Sequence, residues 1–119
     1  MILKDDFFKI IEHNGNDFLI KLNKNHFIYR AHFPNNPMTP GVIIMQIATE
    51  LFEIITNSKL FLQKIKNIKF LAVINPQVNE SVQFKFSKIE QNQNILNAFV
   101  EVVNSRQQFV KISAQFLIS

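Results

Sequence analysis

The chain has 119 residues, of which 47% are hydrophobic and 18% charged, so a disordered chain is excluded and one domain with a modest core is expected. It contains no cysteine, which excludes disulfides, thiol nucleophiles and thiolate metal sites. The net charge is +4, but the basic residues are scattered, which favours an ordinary basic surface over a nucleic-acid site. The charged N-terminus is not a signal peptide, and no apolar stretch reaches the length of a membrane span. We therefore expect a cytoplasmic protein without membrane insertion.

The first predicted elements are two strands joined by a tight turn. Apolar runs at residues 7–12 (FFKIIE) and 17–22 (DFLIKL) flank a segment that contains Asn14-Gly15. Asn-Gly between two apolar runs is the strongest short-range signal for a β-hairpin, so Gly15 is interpreted as a turn glycine. The following residues 26–31 (HFIYRA) are predicted to be an extended approach to the next segment.

A proline-rich loop and a long apolar helix are the central features of the sequence. The loop, His32 to Gly41, contains three prolines, each of which restricts its own backbone and that of the preceding residue. From Gly41 to about Thr56 nearly every residue is apolar, and the polar residues at spacings of three and four are Gln46, Thr49, Glu50 and Glu53. Such a helix must be surrounded by other structure. Its first N–H groups point towards the loop, where His32 is a candidate base beside backbone donors.

Four further strands are predicted after a break at Asn57-Ser58, at residues 65–74, 81–90, 96–104 and 108–118. The alternation of Val82, Phe84 and Phe86 with polar residues is typical of a half-buried strand. One buried helix wrapped by antiparallel strands is an α+β architecture.

The loop sequence HFPNNPMTPGV resembles the active-site motif HFPGxPxxPG of the FabZ/FabA-type 3-hydroxyacyl-acyl-carrier-protein dehydratases. Six residues are in register: His32, Phe33, Pro34, Pro37, Pro40 and Gly41. The similarity extends more weakly from Phe7 to the C-terminus as the order of elements in a hotdog fold. The resemblance therefore implies a single dimeric hotdog domain over residues 1–119, with a long central helix in an antiparallel sheet.

The resemblance also implies the roles of the site residues. His32 would be the base at Cα, and the N–H groups of Gly41 and Val42 would bind the thioester oxygen, with Phe33 and Pro40 beside them as substrate-binding residues. A cis peptide between His32 and Phe33 is also implied. The family's acidic residue lies fourteen positions after the histidine, where this chain has Gln46.

The missing acid leaves two interpretations of the helix open. In the FabZ branch a glutamine lies four residues after the acid, where this chain has Glu50, so the two side chains are exchanged across one helical turn. Glu50 could therefore deliver the proton while Gln46 holds the substrate hydroxyl. Alternatively, both residues simply belong to a solvent-exposed polar face of the helix. His13 and His26 are interpreted as structural or surface residues, and a metal site or a cofactor is not expected.

The implied activity is the dehydration of 3-hydroxyacyl thioesters to trans-2-enoyl thioesters, in fatty-acid-type or polyene biosynthesis. The implied partners are acyl carrier protein, or coenzyme A as the acyl carrier, and a second hotdog subunit that forms a homodimer or heterodimer. A second hypothesis is a catalytically weak subunit that binds acyl chains and pairs with an active dehydratase. A hotdog thioesterase is the third. Basic residues that could bind an acidic carrier, or could simply be solvated, are Lys59, Lys64, Lys66, Lys69 and Arg106.

Overall fold

The structure, a computed structural model that describes residues 1–32 and 34–119, is built on one antiparallel sheet of six strands. The elements in chain order are β1 (Phe8–Asn14), β2 (Asp17–Leu22), α1 (Phe27–Ala31), α2 (Gly41–Thr56), β3 (Leu60–Phe70), β4 (Ser81–Asn92), β5 (Ile95–Val103) and β6 (Gln108–Ile118). Within the sheet the strands lie in the order β1-β2-β4-β5-β6-β3, so β1 and β3 form the edges. One long helix against an antiparallel sheet is the hotdog architecture that the sequence predicts.

Helix α2 has the bounds that the sequence predicts. It begins after Pro40, whose extended backbone (φ −63°, ψ 149°) forms the N-cap, and ends at Asn57, which adopts the left-handed conformation (φ 50°). The Asn57 N–H donates to the carbonyl of Glu53, which satisfies one of the free acceptors at the helix end. Neither helix in the described part of the chain is long and apolar enough to cross a membrane.

Phenylalanines fill the core between α2 and the sheet. Phe52 of α2 stacks on Phe86 of β4 at 5.4 Å between ring centroids and meets the edge of Phe116 of β6 at 5.1 Å. The predicted alternation in β4 is confirmed, because Val82, Phe84 and Phe86 are all buried. Edge-to-face and offset contacts are the favoured arrangements of aromatic rings, so this cluster fixes α2 against the centre of the sheet.

The predicted N-terminal hairpin is also confirmed. Asn14 pairs with Asp17, and Gly15 lies in the turn with a φ of +58°. Glycine adopts this positive φ without steric strain, which explains why it occupies the turn. Strand β2 continues the sheet by pairing with β4.

The prediction that residues 26–31 are extended is wrong, because Phe27–Ala31 form the short helix α1. The local signal for this helix is His26, whose side chain caps the first turn. The Ile28 N–H donates to the Nδ1 atom of His26 at 3.2 Å. Tyr29 is then buried in the core, so tertiary packing stabilises a helix that the local sequence does not favour by itself.

The strand predicted at residues 65–74 is displaced towards the N-terminus and runs from Leu60 to Phe70. Its register with β6 explains the difference, because Leu60 already pairs with Ile118 and Phe70 is the last residue in register, opposite Val110. Residues after Phe70 leave the ladder. The other three predicted strands, β4, β5 and β6, agree with the structure within two residues at each end.

Candidate functional site

His32 lies at the C-terminal cap of α1 and is exposed to solvent. Its backbone N–H donates to the carbonyl of Ile28 at 3.0 Å, so the position of the histidine is tied to that of α1. The neighbouring Phe33, with its predicted substrate contact and cis peptide bond, lies outside the described residues. An exposed imidazole at the start of the proline loop is accessible to a substrate.

The start of α2 presents backbone donors at the other end of the loop. The Pro40 carbonyl accepts hydrogen bonds from the N–H groups of Ile43 at 3.0 Å and Ile44 at 3.1 Å. The N–H groups of Gly41 and Val42 have no backbone acceptor among the described residues. A Cβ atom added to Gly41 would lie 2.9 Å from Cζ of Phe70, so the glycine permits close approach of the β3 end. These two donors could bind an anionic oxygen.

Gln46 and Glu50 form a hydrogen-bonded pair that holds the N-terminal segment, defined here as residues 1–4. The Gln46 Nε2 atom donates to Glu50 Oε2 and to the Met1 carbonyl, both at 2.8 Å. The backbone N–H of Leu3 donates to Oε2 and that of Lys4 to Oε1 of Glu50, again at 2.8 Å. Glu50 is only 8% exposed, so these hydrogen bonds replace most of its contacts with water.

An open groove of about 840 Å³, which we call the α2–β3 groove, lies beside this pair. It is lined by the N-terminal segment, one face of α2 and the start of β3: Met1, Ile2, Val42, Met45, Gln46, Thr49, Glu50, Glu53 and residues 57–62. Several of its apolar side chains are exposed, with Val42 at 72% and Phe61 at 61%. The groove combines an apolar surface with a polar pair, as small-molecule binding sites commonly do.

The structure brings some of the predicted site residues together and separates others. Val42, Gln46 and Glu50 share the α2–β3 groove. Gly41 lines a different cavity of about 420 Å³ with Thr39 and the end of β3. His32 lines neither of these two cavities. Among the described residues, His32 and the Gln46–Glu50 pair therefore do not come together in either of these two cavities.

Two residues that the sequence analysis missed connect the ends of the loop. The hydroxyl groups of Tyr29 and Thr39 form a hydrogen bond of 2.9 Å. Both side chains are buried, and burial raises the pKa of Tyr29 to about 12, while the hydrogen bond to Thr39 opposes this increase. The available sequence signal was a hydroxyl-bearing residue near each end of the proline loop, in a chain with a single tyrosine.

The raised pKa of Tyr29 predicts a loss of stability in alkali. The phenol is protonated in both states below its ordinary pKa of 10.0, and between about pH 10 and 12 the unfolded state loses this proton first. The free energy of unfolding should therefore decrease by about 2–3 kcal/mol over this range from Tyr29 alone. Urea denaturation of wild type and Tyr29→Phe at both pH values measures it. The difference between the two proteins isolates the contribution of Tyr29, and equal losses would contradict the prediction.

Comparison with known proteins identifies the family. The ApeI-like family, described as ApeI dehydratase, matches residues 10–111, which is most of the chain. The chain belongs to the ApeI-like dehydratase family. Among curated proteins, none matches the sequence significantly.

Solved structures of similar fold include both dehydratases and thioesterases. The dehydratase heterocomplex ApeI:P from Xenorhabdus doucetiae contains a chain with a TM-score of 0.65 and 16% identity, covering 89% of this chain and 91% of that one. A hypothetical thioesterase with coenzyme A from Streptococcus pneumoniae TIGR4 has a TM-score of 0.65 and 11% identity, covering 94% and 85%. A thioesterase from Haemophilus influenzae has a TM-score of 0.65 and 11% identity, covering 94% and 78%. At these identities the likeness establishes the hotdog fold.

The ApeI-like match covers His32, the proline loop and all of α2, but it begins after the N-terminal segment. The hydrogen bonds from Leu3 and Lys4 to Glu50 are therefore made by a part of this ApeI-like chain outside the matched region. The loop therefore lies within the matched region, whereas the backbone donors to Glu50 lie before it.

Proposed function

We propose that this ApeI-like protein removes water from 3-hydroxyacyl thioesters to give trans-2-enoyl thioesters. The observation that supports this most directly is the exposed His32 at one end of the proline loop, with the N–H groups of Gly41 and Val42 at the other end. An imidazole suits the removal of a proton from carbon, and backbone donors suit the negative charge that then develops on the thioester oxygen.

The proposed reaction assigns a role to each group. His32 removes the proton from Cα, and the electron pair forms the Cα–Cβ double bond while Gly41 and Val42 donate to the thioester oxygen. The hydroxyl on Cβ leaves as water with a proton from Glu50, and Gln46 binds that hydroxyl. Glu50 Oε2 accepts two hydrogen bonds and Oε1 accepts one, so the proton would occupy the remaining lone-pair site of Oε1.

We further propose that a second hotdog subunit completes the site. His32 lies outside the α2–β3 groove of its own chain, so a partner could supply the groove that receives the acyl chain. The edge strand β3 offers a surface for this partner, because Phe61, Leu62 and Ile65 are exposed along it. The ApeI:P assembly is a heterocomplex, which suggests a related subunit as one possible partner. Sedimentation should give a dimer, and a compact monomer at micromolar concentration would contradict this.

Acyl carrier protein is the proposed donor of the thioester, with acyl-coenzyme A as the other possible carrier. Four exposed lysines lie on or next to β3: Lys59, Lys64, Lys66 and Lys69. If they bind an acidic carrier, affinity should decrease as added salt shortens the Debye length below about 10 Å. Titration of the carrier at low and high salt measures this effect, and an unchanged affinity would remove these lysines from the docking surface. The cytoplasmic location stays a prediction.

The decisive experiment is an assay of the purified protein with 3-hydroxyacyl carrier protein and with the enoyl product, followed in both directions. Interconversion by the protein alone is expected. Hydrolysis of the thioester without loss of water would favour a thioesterase and overturn the proposal.

A second candidate function, a weakly catalytic subunit that binds acyl chains and pairs with an active dehydratase, has one observation in its favour. Gln46 occupies the position of the family's acid, and Glu50 already accepts two backbone hydrogen bonds from the N-terminal segment. If wild type is inactive and Gln46→Glu introduces activity, this candidate is correct.

A further inference from the structure

We propose that Tyr29 and Thr39 are positioning residues for His32, because their hydrogen bond ties together the two ends of the loop that presents the histidine. This inference rests on the proposed dehydratase function and extends it to residues that touch neither the substrate nor the reacting atoms.

The contact joins two elements across a short length of chain. Tyr29 lies in α1, one turn before His32, and Thr39 lies two residues before α2. Their hydroxyl oxygens are 2.9 Å apart, and the side chains are 2% and 4% exposed. The Thr39 N–H also donates to the carbonyl of Ile74 at 2.9 Å, which fixes the far end of the loop to the segment after β3. The loop is therefore closed by a buried hydrogen bond.

Helix α1 depends on its side chains for its position, since five residues do not form a stable helix alone. His26 caps its start, with Nδ1 accepting from the Ile28 N–H at 3.2 Å. With Nδ1 as acceptor, the proton of the neutral ring is on Nε2, which donates to Asp6 Oδ2 at 3.1 Å. Tyr29 packs on Phe7 with 5.1 Å between ring centroids. These contacts fix α1 relative to the core, and they therefore also fix His32 at the other end of α1.

A buried hydroxyl pair is not needed for folding alone. Replacing both partners of a buried hydrogen bond with apolar groups of similar shape can leave stability nearly unchanged. A hydrogen-bonded pair is directional instead. It fixes the distance between α1, which ends at His32, and the part of the loop that leads to Gly41. Catalysis requires this separation, because a displacement of about 1 Å can lower a rate by about 10²-fold.

The test uses Tyr29→Phe, Thr39→Val and the double variant, each of which removes the hydrogen bond with little change in shape. We expect kcat to decrease by about 10-fold in each single variant, with KM little changed, since misplacing the base affects the chemical step. The double variant should be no slower than the slower single variant, because both changes remove the same bond. The matched control is Thr56→Val, which removes a hydroxyl bond to the Phe52 carbonyl at the opposite end of α2 and should leave kcat unchanged.

Amide hydrogen exchange at His32 and Thr39, whose N–H groups donate to the carbonyls of Ile28 and Ile74, separates this inference from the proposed function. If wild type is active but both single variants keep its kcat, or if Thr56→Val loses as much, the positioning role is overturned and the function stands. If wild type is inactive, the proposed function fails, and the amide exchange rates alone test the tie between the loop ends. Faster exchange at His32 and Thr39 in Tyr29→Phe than in wild type supports the tie between the loop ends. Unchanged exchange overturns it.

Discussion

Replacing His32 with alanine should lower the turnover of 3-hydroxyacyl thioesters by about 10²- to 10⁴-fold, the usual contribution of a general base. The fold should not change, because the side chain is exposed and α1 is capped through the backbone of this residue. Steady-state assays with the carrier-bound substrate measure the rate, and urea denaturation measures the free energy of unfolding.

The control for this variant is His13→Ala. His13 stacks on Phe18 in the N-terminal hairpin, with 4.0 Å between ring centroids, so its replacement tests the loss of an imidazole away from the loop. Turnover should persist in His13→Ala and disappear in His32→Ala. Equal activity in wild type and His32→Ala would show that His32 takes no part in the reaction. The loop would then resemble the motif without being catalytic in this protein.

Replacing Glu50 with glutamine should reduce both stability and turnover. The carboxyl group accepts from two backbone N–H groups, and a glutamine would direct an NH₂ group at one of these donors. A buried donor left without an acceptor costs about 1–3 kcal/mol, so the free energy of unfolding should decrease by about that amount. If Glu50 is the acid, turnover should also decrease by about 10²-fold or more. Gln46→Glu should retain or raise turnover, because it restores the arrangement implied by the resemblance to FabZ/FabA-type dehydratases.

The matched control is Glu53→Gln, one turn further along α2. Its Oε2 accepts a single backbone hydrogen bond, from Leu60 at 2.9 Å, so it should lose less stability. It lines the α2–β3 groove but is not assigned the proton transfer, so its turnover should decrease less than that of Glu50→Gln. A Glu50→Gln protein that is destabilised yet turns over normally would show that Glu50 only anchors the N-terminal segment.

Much of the fold could be predicted from local patterns. The helix from Gly41 to Thr56 follows from a proline before its start and a break after its end, and the first hairpin follows from Gly15. Helix α1 could not be predicted in this way, since its cap is a histidine and its position depends on burial of Tyr29. The start of β3 depends on its register with β6, which local sequence does not contain.

The candidate site was predictable only where its chemistry is contiguous in sequence. The proline loop contains His32 and Gly41 within ten residues, so the motif identified both. Two of the donors to Glu50 are 46 and 47 residues away, and they are backbone N–H groups, which no side-chain pattern encodes. The separation of His32 from the α2–β3 groove likewise depends on the tertiary fold.

The exposed edge of β3 has a consequence for how the protein behaves in concentrated solution. In a copy that has not paired with the proposed partner subunit, a long edge strand with Phe61, Leu62 and Ile65 exposed is a template for strand addition and aggregation. Lysines interspersed along the same strand oppose the stacking of identical strands, because like charges would be brought together in every added copy. Salt that screens these charges would weaken this protection, so the protein should precipitate more readily at high ionic strength than at low.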